Sequence, residues 1–363
     1  MDYKEKLKQN ITNIDELKEH IKLTKKEESL LKQVTKIHPL SITRHYLSLI
    51  NKDYKKDPIR KLMIPSKKEL DETGLYDPCD EKRNVKTSGL QHKYNQTALI
   101  LSTNRCAAYC RFCFRKRLVG VPNKEILNRF DSAVKYIKKH KEINNVLISG
   151  GDPLILPTEI IEKFLKKLSS ISHLNFIRFG SRVPVTFPDR IVDDPSLLKV
   201  FKKYSVKNKR IRIITHFNHP REITEKSIKA IDQLMHANVI VGNQTVLLKG
   251  VNDSSVVLAE LLNKLTSIGV RPYYVFQCRP VKRVKGHFQV PLHKGYNIVE
   301  SAKKKLNGLG KGFRFIMSHK TGKIEIVGVL NDEMYFKYHQ ARSKKDLGRL
   351  FKKKIDKKLT WLN

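Results

Sequence analysis

The chain has 363 residues and carries 73 Lys and Arg against 35 Asp and Glu, a formal net charge of +38. That length builds one large domain or two or three small ones, and 40% hydrophobic residues supply a sizeable core. No apolar run reaches the roughly eighteen residues of a membrane helix, and the polar opening MDYKEKLKQNITNIDELKEH is unlike a signal peptide, so a cytoplasmic protein with no membrane contact is expected.

Residues 1–95 are expected to be mainly helical. IDELKEHIKLT and KEESLLKQVTKIH place apolar residues at helical spacing, and PCDEKRNVKTSG then breaks into loop signals. From residue 96 short runs of β-formers follow one another: TALILST, NNVLISG, NFIRFGS, RIRIIT, VIVGNQTVLL and RPYYVFQ. Helical patterns separate them: RFDSAVKYIKKH, PTEIIEKFLKKLSSI, PSLLKVFKKY, EKSIKAIDQLMHAN and SVVLAELLNKLTSI. This alternation predicts an α/β fold of parallel βα units over residues 96–310. A doubly wound sheet and a barrel are equally compatible with it, and either would place its chemistry at the carboxyl ends of the strands. In residues 311–363, FRFIMSHKTGKIEIVGVL reads as two short strands around a turn, and the basic block ARSKKDLGRLFKKKIDKKL as a solvated helix.

The basic excess raises the question of a nucleic-acid partner. Lysines are spread from end to end and mixed with acids, as in HKEIN and EIIEKFLKK, with no RNP signature and no aromatic-basic stripe. A compositional bias toward Lys, Ile and Asn accounts for the charge, and a nucleic-acid partner is not expected.

Three of the five cysteines fall within NRCAAYCRFCFRKR, directly after the strand TALILST. Clustered cysteines in a cytosolic chain point to metal or redox chemistry rather than disulfides. Thiolates suit zinc or iron–sulfur clusters. A structural zinc site wants four ligands, and no fourth is evident beside Cys106, Cys110 and Cys113. Three thiolates can hold three irons of a [4Fe–4S] cluster and leave the fourth iron open to a substrate. One βα unit later, SGGDP carries Gly150, Gly151 and Asp152, where missing side chains would let backbone groups approach a ligand. Arg182, His216, Asn218 and Gln244 end the following strands, and polar groups converging there fit a nucleoside.

The C-x3-C-x2-C spacing matches the radical S-adenosylmethionine (radical SAM) motif. With LISGGDPL, GSRVPVTFPDRI, THFNHPREIT, VGNQTVLLKGVND and RPYYVFQC, it makes the chain resemble the lysine 2,3-aminomutase family from about residue 40 to 330. The resemblance implies a partial (β/α)6 TIM-like barrel with an N-terminal helical region and a short C-terminal extension. It implies three cofactors: a [4Fe–4S] cluster, SAM and pyridoxal 5′-phosphate (PLP). The SGGDP stretch, His216 and Gln244 would border SAM. Lys323, after the turn in HKTGKIEIV, would carry PLP, with Lys320 as its rival; a lysine amine suits this because its pKa falls readily in a desolvated site. Lys93 and Tyr94 stand where the family has an arginine–tyrosine pair for the phosphate, and Thr97 stands where a second arginine is expected. Arg115 aligns with the residue that grips the substrate carboxylate.

The chain departs from the lysine-specific pattern where two aspartates should face the distal ammonium. Arg279 takes the first position and Ser318 the second. Arginine would repel an ammonium and attract a carboxylate, so L-glutamate is expected over L-lysine. No cysteine follows Cys278, so the C-terminal zinc site of some relatives is absent. The expected activity is an isomerase that moves the α-amino group to the β-carbon, with hydrogen taken by a radical derived from SAM. An electron donor such as flavodoxin or ferredoxin and a homo-oligomeric state are implied partners. The alternatives are a lysine 2,3-aminomutase proper, a PLP-independent radical SAM enzyme modifying protein or RNA, and a zinc-dependent nucleic-acid binder.

Overall fold

The computed structural model describes residues 2–362. Twelve strands form one sheet in the order of the sequence: β1 (Val85–Thr87), β2 (Leu90–Tyr94), β3 (Thr97–Thr103), β4 (Asn145–Gly150), β5 (Phe176–Gly180), β6 (Arg212–Thr215), β7 (Ile240–Leu247), β8 (Arg271–Gln277), β9 (Arg314–Ser318), β10 (Gly322–Leu330), β11 (Glu333–Ala341) and β12 (Leu350–Lys354). Neighbours from β3 to β9 are parallel. The strands on either side, β1–β2 and β10–β12, join antiparallel.

A sheet whose order never reverses decides between the two folds left open by spacing. Right-handed crossovers then put every helix on one side, and the sheet must curl around the other. Six helices make those crossovers: Phe130–Lys139, Thr158–Ser169, Pro195–Tyr204, Glu225–His236, Ser255–Ser267 and Leu292–Lys303. The result is a partial barrel, as expected.

Strand alternation sorts the side chains. In β4, Val146 and Ile148 are fully buried against the helices, while Asn145, Leu147 and Ser149 face the barrel interior. In β5, Ile177 and Phe179 face out, and Arg178 and Gly180 face in. The outward set shares one apolar cluster with Ile14, Leu17, Tyr46 and Leu62 of the N-terminal helices. Truncating such a residue, Phe179→Ala for example, costs about 3–5 kcal/mol. A second cluster joins Leu247, Val275 and Phe315 to Ile324, Ile326 and Phe336 of the C-terminal strands.

Three local expectations are corrected. The sheet begins at β1, so Lys93 and Tyr94 lie in a strand rather than ahead of one. The helix Leu292–Lys303, absent from the sequence reading, crosses to β9, which runs parallel to β8. Gly295 masks that helix; a Cβ there would sit 3.1 Å from Leu247 and 3.2 Å from Phe315, so close packing selects the poor helix former. The basic block is not a helix. Residues 350–354 form β12 on β11, with Phe351 stacked on Phe336 and Lys352, Lys353 and Lys354 exposed.

Candidate active site

One cavity inside the barrel is lined by most of the residues singled out from the sequence, from Cys106, Cys110 and Cys113 to Lys323 and Arg279; Asn218 and Lys320 lie outside it. The cysteine loop closes one wall. It leaves β3 and is pinned from the N-terminal region, where Tyr109 N–H donates to Ser41 O at 2.9 Å and Arg111 N–H to Leu62 O at 2.9 Å. Behind it the buried Glu69 accepts from Arg111 through both carboxylate oxygens and from Lys116.

Cys106, Cys110 and Cys113 are free thiols facing the cavity. Burial pushes the Cys106 thiol well up, and Asp152 and the two sister sulfurs add to it. Burial, then Cys110, raises Cys113 to about 11. Three adjacent sulfurs that resist ionising together are the donor set a polynuclear cation satisfies. Arg182 Nη1 donates to Cys110 Sγ at 2.9 Å, and Arg115 N–H to Cys113 Sγ at 3.4 Å. Such N–H donors tune the potential of an iron–sulfur cluster. The residues present therefore fit the group that the sequence implied.

Gly150 and Gly151 line the cavity, and their backbone also closes on the cysteine loop. Gly151 N–H donates to Thr103 O at 2.6 Å, and a Cβ on Gly151 would stand 2.2 Å from Arg105 O. Asp152 binds across to the next strand end, accepting from Ser181 Oγ at 2.7 Å and Arg182 N–H at 2.6 Å. Burial lifts its pKa, which these donors offset only in part. Arg182 also donates to His216 O at 3.0 Å and pairs with the buried Glu222, which accepts from Tyr46 at 2.5 Å.

His216 turns its imidazole into the cavity, and its Nε2 is buried with no partner among the described residues. Burial, then Arg182 and Arg279, lower its pKa to about 3, so it is neutral. An orphaned ring nitrogen beside the cysteine loop fits a polar ligand there. Gln244 lines the same wall. Asn218 is instead a structural residue, accepting from Val246 N–H at 2.8 Å and donating its own N–H to Glu222 at 2.6 Å.

Lys323 enters from β10, its Nζ 4.8 Å from the Tyr274 ring centroid and 5.8 Å from that of Tyr94. Its rival Lys320 is exposed and lines a separate surface cavity. Burial, then Arg178, Arg279 and Lys93, lower the Lys323 pKa to about 7. A buried amine ringed by cations is half neutral near physiological pH, the state in which it attacks a carbonyl. Lys93 donates to His319 O at 2.8 Å and Cys79 O at 3.2 Å. Arg178, missed in the sequence, donates through Nε to Asn145 Oδ1 at 2.9 Å, and Asn145 donates to Thr97 Oγ1 at 3.2 Å. Its signal was an arginine in the inward phase of an otherwise apolar strand. These cations fit an anionic group beside Lys323.

Arg115 lies in the wall, but Nε and Nη2 are bound to Glu81 at 3.2 and 2.8 Å. Burial alone would raise the Glu81 pKa; Arg115, then Arg117 and Arg279, hold it at about 2. Arg115 Nη1 faces Ser149 Oγ at 3.1 Å and Gly150 O at 3.3 Å. Arg279 stacks on Phe114, 3.7 Å from the ring centroid, and its Nη1 is buried without a partner among the described residues. Ser318 is 6% exposed, and its carbonyl accepts from the Cys79 thiol at 3.2 Å.

The radical SAM superfamily profile matches residues 100–262. A putative L-lysine 2,3-aminomutase of Aquifex aeolicus (strain VF5) is 41% identical over 342 residues, 94% of this chain and 91% of that protein. The L-lysine 2,3-aminomutase of Clostridium subterminale is 41% identical over 310 residues, 85% of this chain and 73% of that one. The glutamate 2,3-aminomutase of Clostridioides difficile (strain 630) is 39% identical over 300 residues, 82% of this chain and 69% of that one.

Proposed function

The chain belongs to the lysine 2,3-aminomutase family of the radical SAM superfamily, and we propose that it uses PLP to move the α-amino group of L-glutamate to the β-carbon. The observation that carries the choice of substrate is Arg279, a cavity-facing guanidinium with an unpartnered buried nitrogen. A distal carboxylate satisfies that nitrogen; a distal ammonium is repelled by it. Among the described residues the carboxylates lining the cavity are Glu81 and Asp152, already bound by Arg115, Arg117, Ser181 and the Arg182 amide, which leaves neither for a lysine ammonium.

When bound, the cluster with SAM supplies a carbon-centred oxidant for an unactivated C–H bond, and PLP supplies delocalisation for the migrating nitrogen. The chain's own residues hold and orient. Cys106, Cys110 and Cys113 would ligate three irons, with Arg182 and the Arg115 amide donating to their sulfurs. Gly150, Gly151, Asp152, His216 and Gln244 would border SAM. Lys323 would hold PLP, and Lys93, Tyr94 and Arg178 would meet its phosphate. Glu81 would fix one edge of Arg115 so that Nη1 meets the substrate α-carboxylate, while Arg279 and Ser318 take the distal end.

The substitution Arg279→Asp tests this reading. It is expected to cut glutamate turnover at least tenfold and raise lysine turnover. Equal effects on both substrates would remove Arg279 from specificity.

A further inference from the structure

The outer wall of the barrel carries a second group of side chains with ligand chemistry. His92 sits on β2 between Gln91 and Lys93, which both line the cavity. Alternation therefore sends His92 outward, against the C-terminal end of the helix Phe130–Lys139. There Tyr136 and His140 are stacked 4.0 Å apart, and the His92 ring stands edge-on to both, at 5.9 and 5.8 Å.

The hydrogen bonds of His92 define its tautomer. Nε2 lies 3.0 Å from Asn95 O, a carbonyl that can only accept, so Nε2 carries the proton. Nδ1 then presents a lone pair, 3.1 Å from the Tyr136 hydroxyl that donates to it. Metal-binding histidines are prepared in this way, one nitrogen donating to a carbonyl and the other left to ligate, here once the Tyr136 hydroxyl turns away. His140 Nδ1 lies 2.9 Å from Glu142 Oε1. One ligand atom from each of His92, His140 and Glu142 falls within 4.8 Å of the others. Seating a cation about 2.0–2.2 Å from each requires the three side chains to rotate closer together.

We propose that His92, His140 and Glu142 form a site for a borderline divalent cation, zinc, cobalt or nickel, on the outside of the barrel. Two imidazoles and a carboxylate suit these ions rather than magnesium or calcium. The fourth position falls to water or to the Tyr136 oxygen. The three ligands come from β2 and from the turn between the helix and β4. The bound ion therefore braces the strand that carries Lys93 against the one that begins at Asn145. It lies on the opposite face of the sheet from the cysteine thiols, and is separate from them.

The test uses the cluster-loaded protein, so that the three cysteines are occupied. Zinc uptake is measured by competition with a chromophoric indicator, for the wild type, His140→Ala and Glu142→Gln. The wild type is expected to take one zinc beyond any held elsewhere, with no loss of cluster iron. His140→Ala should lose that equivalent, and Glu142→Gln should weaken it roughly tenfold or more. Glu142→Gln should keep the metal-free melting temperature, because Glu142 is exposed; zinc should raise it only in the wild type. Equal zinc uptake by the wild type and both variants overturns the proposal. So does a wild type that binds none, or one that binds zinc only as iron is released.

Discussion

Arg182 Nη1 lies 2.9 Å from Cys110 Sγ while Nη2 of the same guanidinium pairs with Glu222. One cation thus serves a cysteine of the proposed cluster and a carboxylate that is fully buried, and ties the ends of three strands together. Removing it strands Glu222. Arg182→Met is expected to destabilise the protein by about 3–5 kcal/mol, and adding Glu222→Gln should recover part of the loss. Anaerobic denaturant unfolding of the single and double variants measures this; additive losses would contradict it.

Lys323 gives a pH signature. Its pKa is depressed from 10.5 to about 7 by burial and by Arg178, Arg279 and Lys93. The unfolded chain holds this proton between pH 7 and 10.5, and the folded chain does not. The lysine's unfavourable contribution is therefore largest below about pH 7 and fades as pH rises toward 10.5. Its reactivity should turn on in the same place. Labelling of Lys323 by an aldehyde probe, followed by mass spectrometry, should reach half its maximal rate near pH 7. A midpoint near that of exposed lysines would refute the environment described.

Arg178 should matter to a phosphate and not to a ring. Arg178→Gln is expected to weaken PLP binding about ten- to a hundredfold, the loss of one charged hydrogen bond of ~1.5–3 kcal/mol. Binding of pyridoxal, which lacks the phosphate, should fall much less, through the loss of Arg178 beside the Lys323 amine alone. Spectrophotometric titration with both ligands separates the outcomes, and an equal loss for both would assign Arg178 to general stability.

Gly151 should be intolerant of any side chain. A Cβ at 2.2 Å from Arg105 O forces the cysteine loop away from β4. Gly151→Ala is expected to lower reconstituted iron and sulfide well below the wild-type content. Full cluster content in that variant would show that the loop does not depend on this contact.

The parallel strands and five of their crossover helices were legible because each announces itself locally, through short β-rich runs and helical periodicity. The site was legible where chemistry sits in a short motif, as in Cys106 to Cys113, or through resemblance, as for Lys323. The groups that hold these residues were not. Glu81, Glu69 and Glu222 find their partners 34, 42 and 40 residues away in the chain, and such pairings leave no local pattern. Gly295 hid a helix because packing overrode propensity. The strand β12 was hidden by its lysines, which read as a solvated face whichever backbone carries them.

The preference for glutamate is tested by incubating the anaerobically reconstituted protein with SAM, PLP and a reductant, and following ¹³C-labelled L-glutamate and L-lysine in parallel by NMR. Label from glutamate should appear in the 3-amino isomer faster than label from lysine does. Faster formation of the lysine isomer, or no isomer from either substrate, would contradict it.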